Sequence, residues 1–376
     1  MCWRIFILTV CVLLSALCMS AQAGTATDSI FHREHLKILD IGNSYTKDAT
    51  DLLPRIVRAS GSDVGDMALW TLVRSGGSFK TWCDCYEDKD TRHYYLNNTL
   101  GGLEVGLEDT RCEEGDGSAM RDALTKVLWD VIIIHQVSTY APYGNLWITD
   151  GEAGCLDKLL AIIRLHQPDA AIGFYVVHST WGGYFQNTEK SSYLRWRLIA
   201  NSVKELTESE RIDVVIPYGT AIENLRQSSL NNEYDLTRDG LHLAYGLGQY
   251  TAACCYYEAV IAPRSGISVL GNTARVDCMG MASTYPAISV DDGNALTAQK
   301  AAVMAVKDWM TCRKPETEDM GVEAPPTDAK PGAATPCYDL QGRKINGRWS
   351  IVNGQWSMVN GRFRKGIYIR DGKKYN

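Results

Sequence analysis

The stretch Leu36-Lys37-Ile38-Leu39-Asp40-Ile41-Gly42-Asn43-Ser44-Tyr45-Thr46-Lys47-Asp48-Ala49 decides the fold. Leu36, Ile38, Leu39 and Ile41 form a short apolar run that stops at Gly42, which predicts a buried strand followed by a tight turn. Ser44 then stands at the mouth of that strand. Thr46, Asp48 and Thr50 are candidate caps for the helix expected over residues 51–60, where Pro54 is tolerable only near the first turn. A strand, a glycine turn and a helix in this order hold a serine hydroxyl where backbone N–H groups converge, which is how a nucleophile is mounted. On this stretch alone, a serine that merely caps a helix fits as well.

The same pattern recurs outward along the chain. Met67 to Val73 predicts a second strand ending in Arg74-Ser75-Gly76-Gly77-Ser78, again a glycine turn at a strand end. Trp129 to Ile134 is an apolar, β-branched run of the kind covered on both faces of a sheet, and it delivers His135, Gln136 and Ser138. Helices are expected over Cys155–His166, Arg195–Thr207 and Leu296–Trp309, with strands over Ala171–Val177 and Asp213–Ile216. Strands alternating with helices imply βαβ units, a parallel sheet and ligands beyond the carboxyl ends of the strands. The long segment Phe79–Thr125 is expected to form a lid or wall over that edge. Asp239 and His242, three apart in Thr237-Arg238-Asp239-Gly240-Leu241-His242-Leu243, can set a carboxylate against one imidazole nitrogen and leave the other facing outward. That serves a general base; a helix cap beside an incidental histidine is the plainer alternative.

Composition bounds the rest. The chain has 376 residues, 45% hydrophobic and 22% charged with a net charge of −6. That suffices for one large core and a small second module, and excludes a disordered or fibrous protein. Residues 1–23 carry Arg4, an apolar run through Leu17 and Ala21-Gln22-Ala23, which read as a signal peptide for export. No later stretch is long and apolar enough to span a bilayer. A core domain is expected over 24–312, a Pro- and acid-rich linker over 313–336 and a small β-rich module over 337–376. The last module holds nine Lys or Arg against two Asp and the repeat Asn346-Gly347-Arg348-Trp349-Ser350-Ile351-Val352, Asn353-Gly354-Gln355-Trp356-Ser357-Met358-Val359, which suggests hairpins. For an exported protein that charge does not indicate nucleic acid. Cys83 or Cys85 with Cys112, and Cys278 with Cys312, are the disulfide pairs to test. Cys83-Asp84-Cys85 lacks the second ligand pair a zinc site wants, so neither metal nor cofactor is expected.

Together these residues resemble the SGNH (GDSL-like) hydrolase superfamily over Leu36 to Ile261, most closely a bacterial branch that begins with a GNS motif. The resemblance implies a three-layer α/β/α sandwich around a central parallel sheet, flavodoxin-like in topology. It implies Ser44 in Gly42-Asn43-Ser44-Tyr45 as nucleophile, with Asp239 and His242 as orienting acid and base. It also implies an oxyanion hole from the Ser44 and Gly76 N–H groups and a third-block side chain. Gln136 takes that third place, with His135 as competitor. Tyr338-Asp339-Leu340-Gln341-Gly342-Arg343 and Lys365-Gly366-Ile367-Tyr368-Ile369 resemble the carboxy-terminal sorting domains of type IX secretion substrates, which would make that secretion machinery a partner. The implied activity is hydrolysis of an O-acyl group, acetyl foremost, on a carbohydrate. A lipase or lysophospholipase of the same superfamily, or a glycan-binding surface protein with a decayed site, are the alternatives.

Overall fold

The computed structural model describes residues 30–89, 92–113, 117–181, 191–278 and 286–317, together with short β segments between 337 and 375. The expected signal peptide and most of the expected linker lie outside the described residues. The chain divides into two compact units, 1–322 and 323–376.

The first unit is built on seven strands: β1 (Lys37–Gly42), β2 (Ala68–Val73), β3 (Tyr94–Gly101), β4 (Thr110–Cys112), β5 (Val131–Ile134), β6 (Ala171–Tyr175) and β7 (Val214–Ile216). Their order in the sheet is β4-β3-β2-β1-β5-β6-β7. Strands β2, β1, β5, β6 and β7 are parallel. Taken by themselves they run 2-1-3-4-5, the flavodoxin order, which places the topological switch between β1 and β5. Ile38 pairs with Leu69 on one side and Val131 on the other. The β-branched run of β5 is buried throughout, as the sequence pattern requires of a central strand.

Helices α1 (Ser44–Thr50) and α2 (Leu53–Ser60) follow β1; α3 (Phe79–Tyr86) and α4 (Ser118–Thr125) lie between β2 and β5. Helices α5 (Leu156–His166) and α6 (Ser192–Glu208) cross from β5 to β6 and from β6 to β7, and α7 (Tyr218–Arg226), α8 (Leu247–Tyr256) and α9 (Ala295–Lys307) complete the unit. The step from β1 to β2 runs one way along the sheet and the steps from β2 to β5, β6 and β7 run the other. Right-handed crossovers therefore put α1 and α2 on one face and α3 to α6 on the opposite one. Helix α8 packs against α1, α2, α7 and α9, closing the first layer.

Four expectations change. The segment Phe79–Thr125 is a wall and not a free lid: β3 and β4 within it pair antiparallel beyond β2 and widen the sheet, and Tyr95, Asn97 and Thr99 of β3 line a cleft that begins at Ser44. Tyr94 and Leu96 of β3 are buried, while Tyr95 and Asn97 on its other face are exposed. Thr46, Asp48 and Thr50 are not caps of α2. They lie inside α1, which starts at Ser44 itself, and Pro54 falls in the first turn of α2. The eight cysteines of the first unit within the described residues are all thiols, so neither expected pairing is formed. The first unit also continues into the expected linker: Arg313 N–H donates to Asn224 Oδ1 at 2.7 Å, and Glu316 Oε1 accepts from Ser229 N–H at 2.7 Å.

In the second unit, the segments 344–345, 337–339, 368–370 and 373–375 form a four-stranded antiparallel sheet in that order. The two copies of the repeat pair with each other, Arg348 facing Val359 and Val352 facing Gln355. Asn353 and Gly354, where the sequence suggests the hairpin turn, lie outside the described residues. No helix among the described residues is long and apolar enough to cross a membrane.

Candidate active site

The β1 to α1 junction is shaped by what its backbone must approach. A Cβ at Gly42 would collide with His135 Nε2 and Thr46 Oγ1, so only glycine lets the strand end pass over the imidazole. Asn43 caps α1: its Oδ1 accepts from Tyr45 N–H at 2.9 Å while its Nδ2 donates to Gly77 O at 2.9 Å. One side chain thus ties the Ser44 turn to the loop after β2. In that loop Gly76 has a φ of 64°, a left-handed conformation that favours glycine.

Ser44 Oγ lies 2.8 Å from His242 Nε2. On the other side of the ring, His242 Nδ1 lies 2.6 Å from Asp239 Oδ2. Asp239 Oδ1 also accepts from the Leu241 and His242 N–H groups, at 2.9 and 2.7 Å. Burial alone would raise the Asp239 carboxyl, but its bonds to the His242 ring and these two N–H groups hold it below the ordinary aspartate value. An ionised carboxylate fixes the proton on Nδ1, and Nε2 is then the acceptor that faces the serine. The structure therefore brings together three predicted residues whose ends are 198 positions apart in the chain.

The segment carrying Asp239 and His242 is held from beneath by groups that the sequence did not mark as part of the site. Arg238 donates to Asp48 Oδ1 at 2.8 Å and to Leu243 O at 2.6 Å. Asp48 Oδ2 accepts from Leu243 N–H at 2.9 Å, and its Oδ1 accepts from Gln249 Nε2 at 3.0 Å. Asp48 is thereby the post on α1 to which both ends of the loop are fastened. Burial pushes its carboxyl up, against the pull of the Arg238 guanidinium. The Leu241 carbonyl accepts from Tyr45 OH at 2.9 Å and from His178 Nε2 at 2.8 Å, with the Tyr45 and His178 rings 4.1 Å apart. The one available signal was spacing: Tyr45 and Asp48 are three apart and share a helical face.

Neither third-block candidate hydrogen-bonds Ser44. Gln136 is buried, its Nε2 donating to Ala153 O at 2.9 Å and its Oε1 accepting from Val137 N–H at 2.8 Å. His135 lies under the turn. Its Nδ1 faces Gln136 O at 3.1 Å and its Nε2 faces Thr46 Oγ1 at 2.9 Å. Burial lowers its pKa to about 4. Thr46 Oγ1 is also 3.3 Å from Asp40 Oδ1, and Tyr175 OH donates to Asp40 Oδ2. A carbonyl only accepts, so His135 Nδ1 carries the ring proton and Nε2 takes the hydrogen of Thr46. Thr46 has a single hydrogen for two acceptors, His135 Nε2 and Asp40 Oδ1, a shortage that a proton on Asp40 would relieve. Burial raises that carboxyl to about 7, against the lowering effect of its bonds to Tyr175 and Thr46.

A cleft of about 570 Å³ begins at Ser44 and runs over the uncovered face of β2 and β3. No cluster of metal-ligating side chains occurs among the described residues.

No curated protein matches the chain. Among solved structures it is similar to a DUF4886 family protein from Bacteroides uniformis, with 23% identity, a TM-score of 0.58, and 74% of this chain and 98% of that one covered. It is also similar to a candidate SGNH hydrolase from Slackia heliotrinireducens at 13% identity, a TM-score of 0.40, and 60% and 98% coverage. A candidate GDSL-like lipase from Parabacteroides merdae matches at 14% identity, a TM-score of 0.39, and 61% and 96% coverage. Ser44, Asp239 and His242 all fall within residues 37–279, which match the model of a family described as a domain of unknown function, and by that match the chain belongs to the DUF4886 family.

Proposed function

We propose that the protein is an exported serine esterase that removes an O-acyl group, acetyl in the simplest case, from a carbohydrate. The observation that carries the reading is the continuous relay from Ser44 Oγ through His242 to Asp239. A neutral hydroxyl is a weak nucleophile near neutral pH, and the relay supplies the base it lacks. Ser44 Oγ attacks the ester carbonyl carbon as its proton passes to His242 Nε2, and Asp239 stabilises the imidazolium. The tetrahedral oxyanion is received by the Ser44 and Gly76 N–H groups, with the second amide hydrogen of Gln136 as the third donor. Collapse breaks the bond to the alcohol oxygen, which leaves with the proton from His242. Water then attacks the acyl-serine through the same base and releases the carboxylic acid.

Support for a carbohydrate comes from the alcohol side. The backbone N–H of Trp181 donates to Gly240 O at 2.8 Å, which ties this residue, 39% exposed, to the loop that carries His242. Exposed aromatic faces at a polar site suit sugar rings. Export through residues 1–23, and sorting through the tail by type IX machinery, complete the proposal. The test is ester hydrolysis by purified wild type beside Ser44→Ala on acetylated sugars, with folding checked by circular dichroism. Turnover in the wild type that is lost in Ser44→Ala supports the reading; turnover unchanged by the substitution overturns it.

A further inference from the structure

The cleft at Ser44 lies on one side of α1 and the catalytic loop on the other. Tyr45 and Asp48 face the loop, through Leu241 O, Leu243 N–H and Arg238. Lys47 and Thr50, three apart on a different face, form the wall of the cleft. Its floor is Val73 of β2 with Tyr95, Asn97 and Thr99 of β3, alternate residues that share one face of the strand. No residue of the loop that carries His242 lines it.

Acyl transfer gives these two sides different occupants. His242 Nε2 must return its proton to the leaving oxygen, so the alcohol lies beside His242. The remaining substituent of the carbonyl carbon is the acyl chain, and it points away from the base. We infer that the cleft over β2 and β3 is the acyl-binding site, and that it takes hydroxylated acyl groups larger than acetyl. This rests on the esterase reading and says which half of the ester the sheet extension recognises. An acetyl methyl would touch only the mouth of a cleft of about 570 Å³. The lining alternates apolar and hydrogen-bonding groups: the Val73 side chain and the Tyr95 ring beside the Asn97 amide and the Thr99 hydroxyl, which is held 2.8 Å from Thr71 Oγ1. A plain alkyl chain would strip water from those polar groups without replacing their hydrogen bonds, whereas a chain with a hydroxyl satisfies both.

The test compares acetyl, butyryl, 3-hydroxybutyryl and octanoyl esters of one alcohol. The wild type is expected to favour 3-hydroxybutyryl over acetyl by about tenfold or more in kcat/KM, a discrimination within reach of a few added contacts. Asn97→Trp, which fills the cleft from an exposed strand position, is expected to cut that preference by about tenfold. Tyr95→Ala, which enlarges the cleft instead, is expected to weaken the preference also. Changing the alcohol at constant acyl group is expected to leave the variants' effect on the preference in place. Overturning results are a wild type that prefers acetyl or octanoyl, a preference untouched by both variants, or an effect of the variants that follows the alcohol. Normal acetyl turnover with any of these defeats the inference alone. Absence of turnover on every ester defeats the esterase reading, and the inference with it.

Discussion

Two sets of aspartate, hydroxyl and histidine meet at the end of β1, and only one is arranged for chemistry. In the first, Ser44, His242 and Asp239, the carboxylate and the hydroxyl lie on opposite nitrogens of the ring, whose side chain is 22% exposed. In the second, Asp40, Thr46 and His135, the hydroxyl sits between the carboxyl and the ring, and all three are buried. His135 Nδ1 faces a backbone carbonyl rather than a carboxylate, and the support that this bond gives an imidazolium is outweighed by burial. The same three functional groups, with hydroxyls only two positions apart in α1, thus form an open relay in one place and a buried brace in the other. The order of the groups and their access to water distinguish the two sets.

The largest expected effect separates the sets by activity. Ser44→Ala and His242→Ala are each expected to lower kcat by on the order of a million-fold, with the double variant little worse, because a triad fails as a unit. Asp239→Ala should cost less, on the order of ten-thousand-fold. Steady-state kinetics with melting curves check this, and additive losses in the double variant would deny that the set works as one relay.

Next comes the post beneath the first set. Asp48→Ala leaves the Arg238 guanidinium, 14% exposed, without its carboxylate, and is expected to destabilise the chain by about 3 to 5 kcal/mol. Because Asp48 holds both ends of the loop, kcat should fall even at temperatures where the variant is fully folded. Chemical denaturation and kinetics on the folded fraction measure both; an unchanged kcat would show that His242 finds Ser44 without this anchor.

Gln136 and His135 sharpen the contrast further. Gln136→Ala is expected to lower kcat by about a hundredfold to a thousandfold with KM little changed. His135→Ala should act mainly through stability, since its ring fills space under Gly42 and accepts from Thr46. A small kcat loss in Gln136→Ala would confine the oxyanion hole to backbone N–H groups.

The smallest effect concerns pH. With Asp40 raised to about 7, the folded chain keeps a proton that the unfolded chain releases near the ordinary aspartate value of about 4. The resulting stabilisation is complete below about pH 4 and is lost as pH rises to about 7. Asp40→Asn keeps a donor and an acceptor in place and is expected to flatten that part of the stability profile. Urea denaturation from pH 4.5 to 8 measures it; equal slopes in wild type and variant would show that Asp40 is ionised in the folded chain throughout.

Features set by near neighbours are legible in the sequence. The apolar run of β1, the glycine turns at 42 and 76, the continuous β-branched run of β5 and the Asp-x-x-His spacing each depend on neighbours within a few residues, and the sequence displays them directly. Antiparallel β3 and β4 escaped because their pattern is mixed. Tyr94-Tyr95-Leu96-Asn97-Asn98-Thr99 has one buried face and one that lines a cleft, and between aromatic and acidic neighbours it reads as loop. Asp48 escaped because a carboxylate in a first-turn context reads as a cap, and only the arrival of Arg238 from 190 positions away makes it a buried anchor.

The sequence by itself therefore determined the alternation of strands and helices, the carboxyl-end placement of Ser44, Gly76 and Gln136, and the local reach of Asp239 to His242. These follow from backbone periodicity and short-range sterics, which act within one turn or one strand. Only the tertiary structure decided that His242 meets Ser44, that Asp40 and His135 are buried together under the Gly42 turn, and that β3 widens the sheet beside α1 and α2 to leave a cleft. Those outcomes depend on which distant segments pack together and on how much water they exclude. Burial sets the cost of a charge, and no spacing along the chain encodes it.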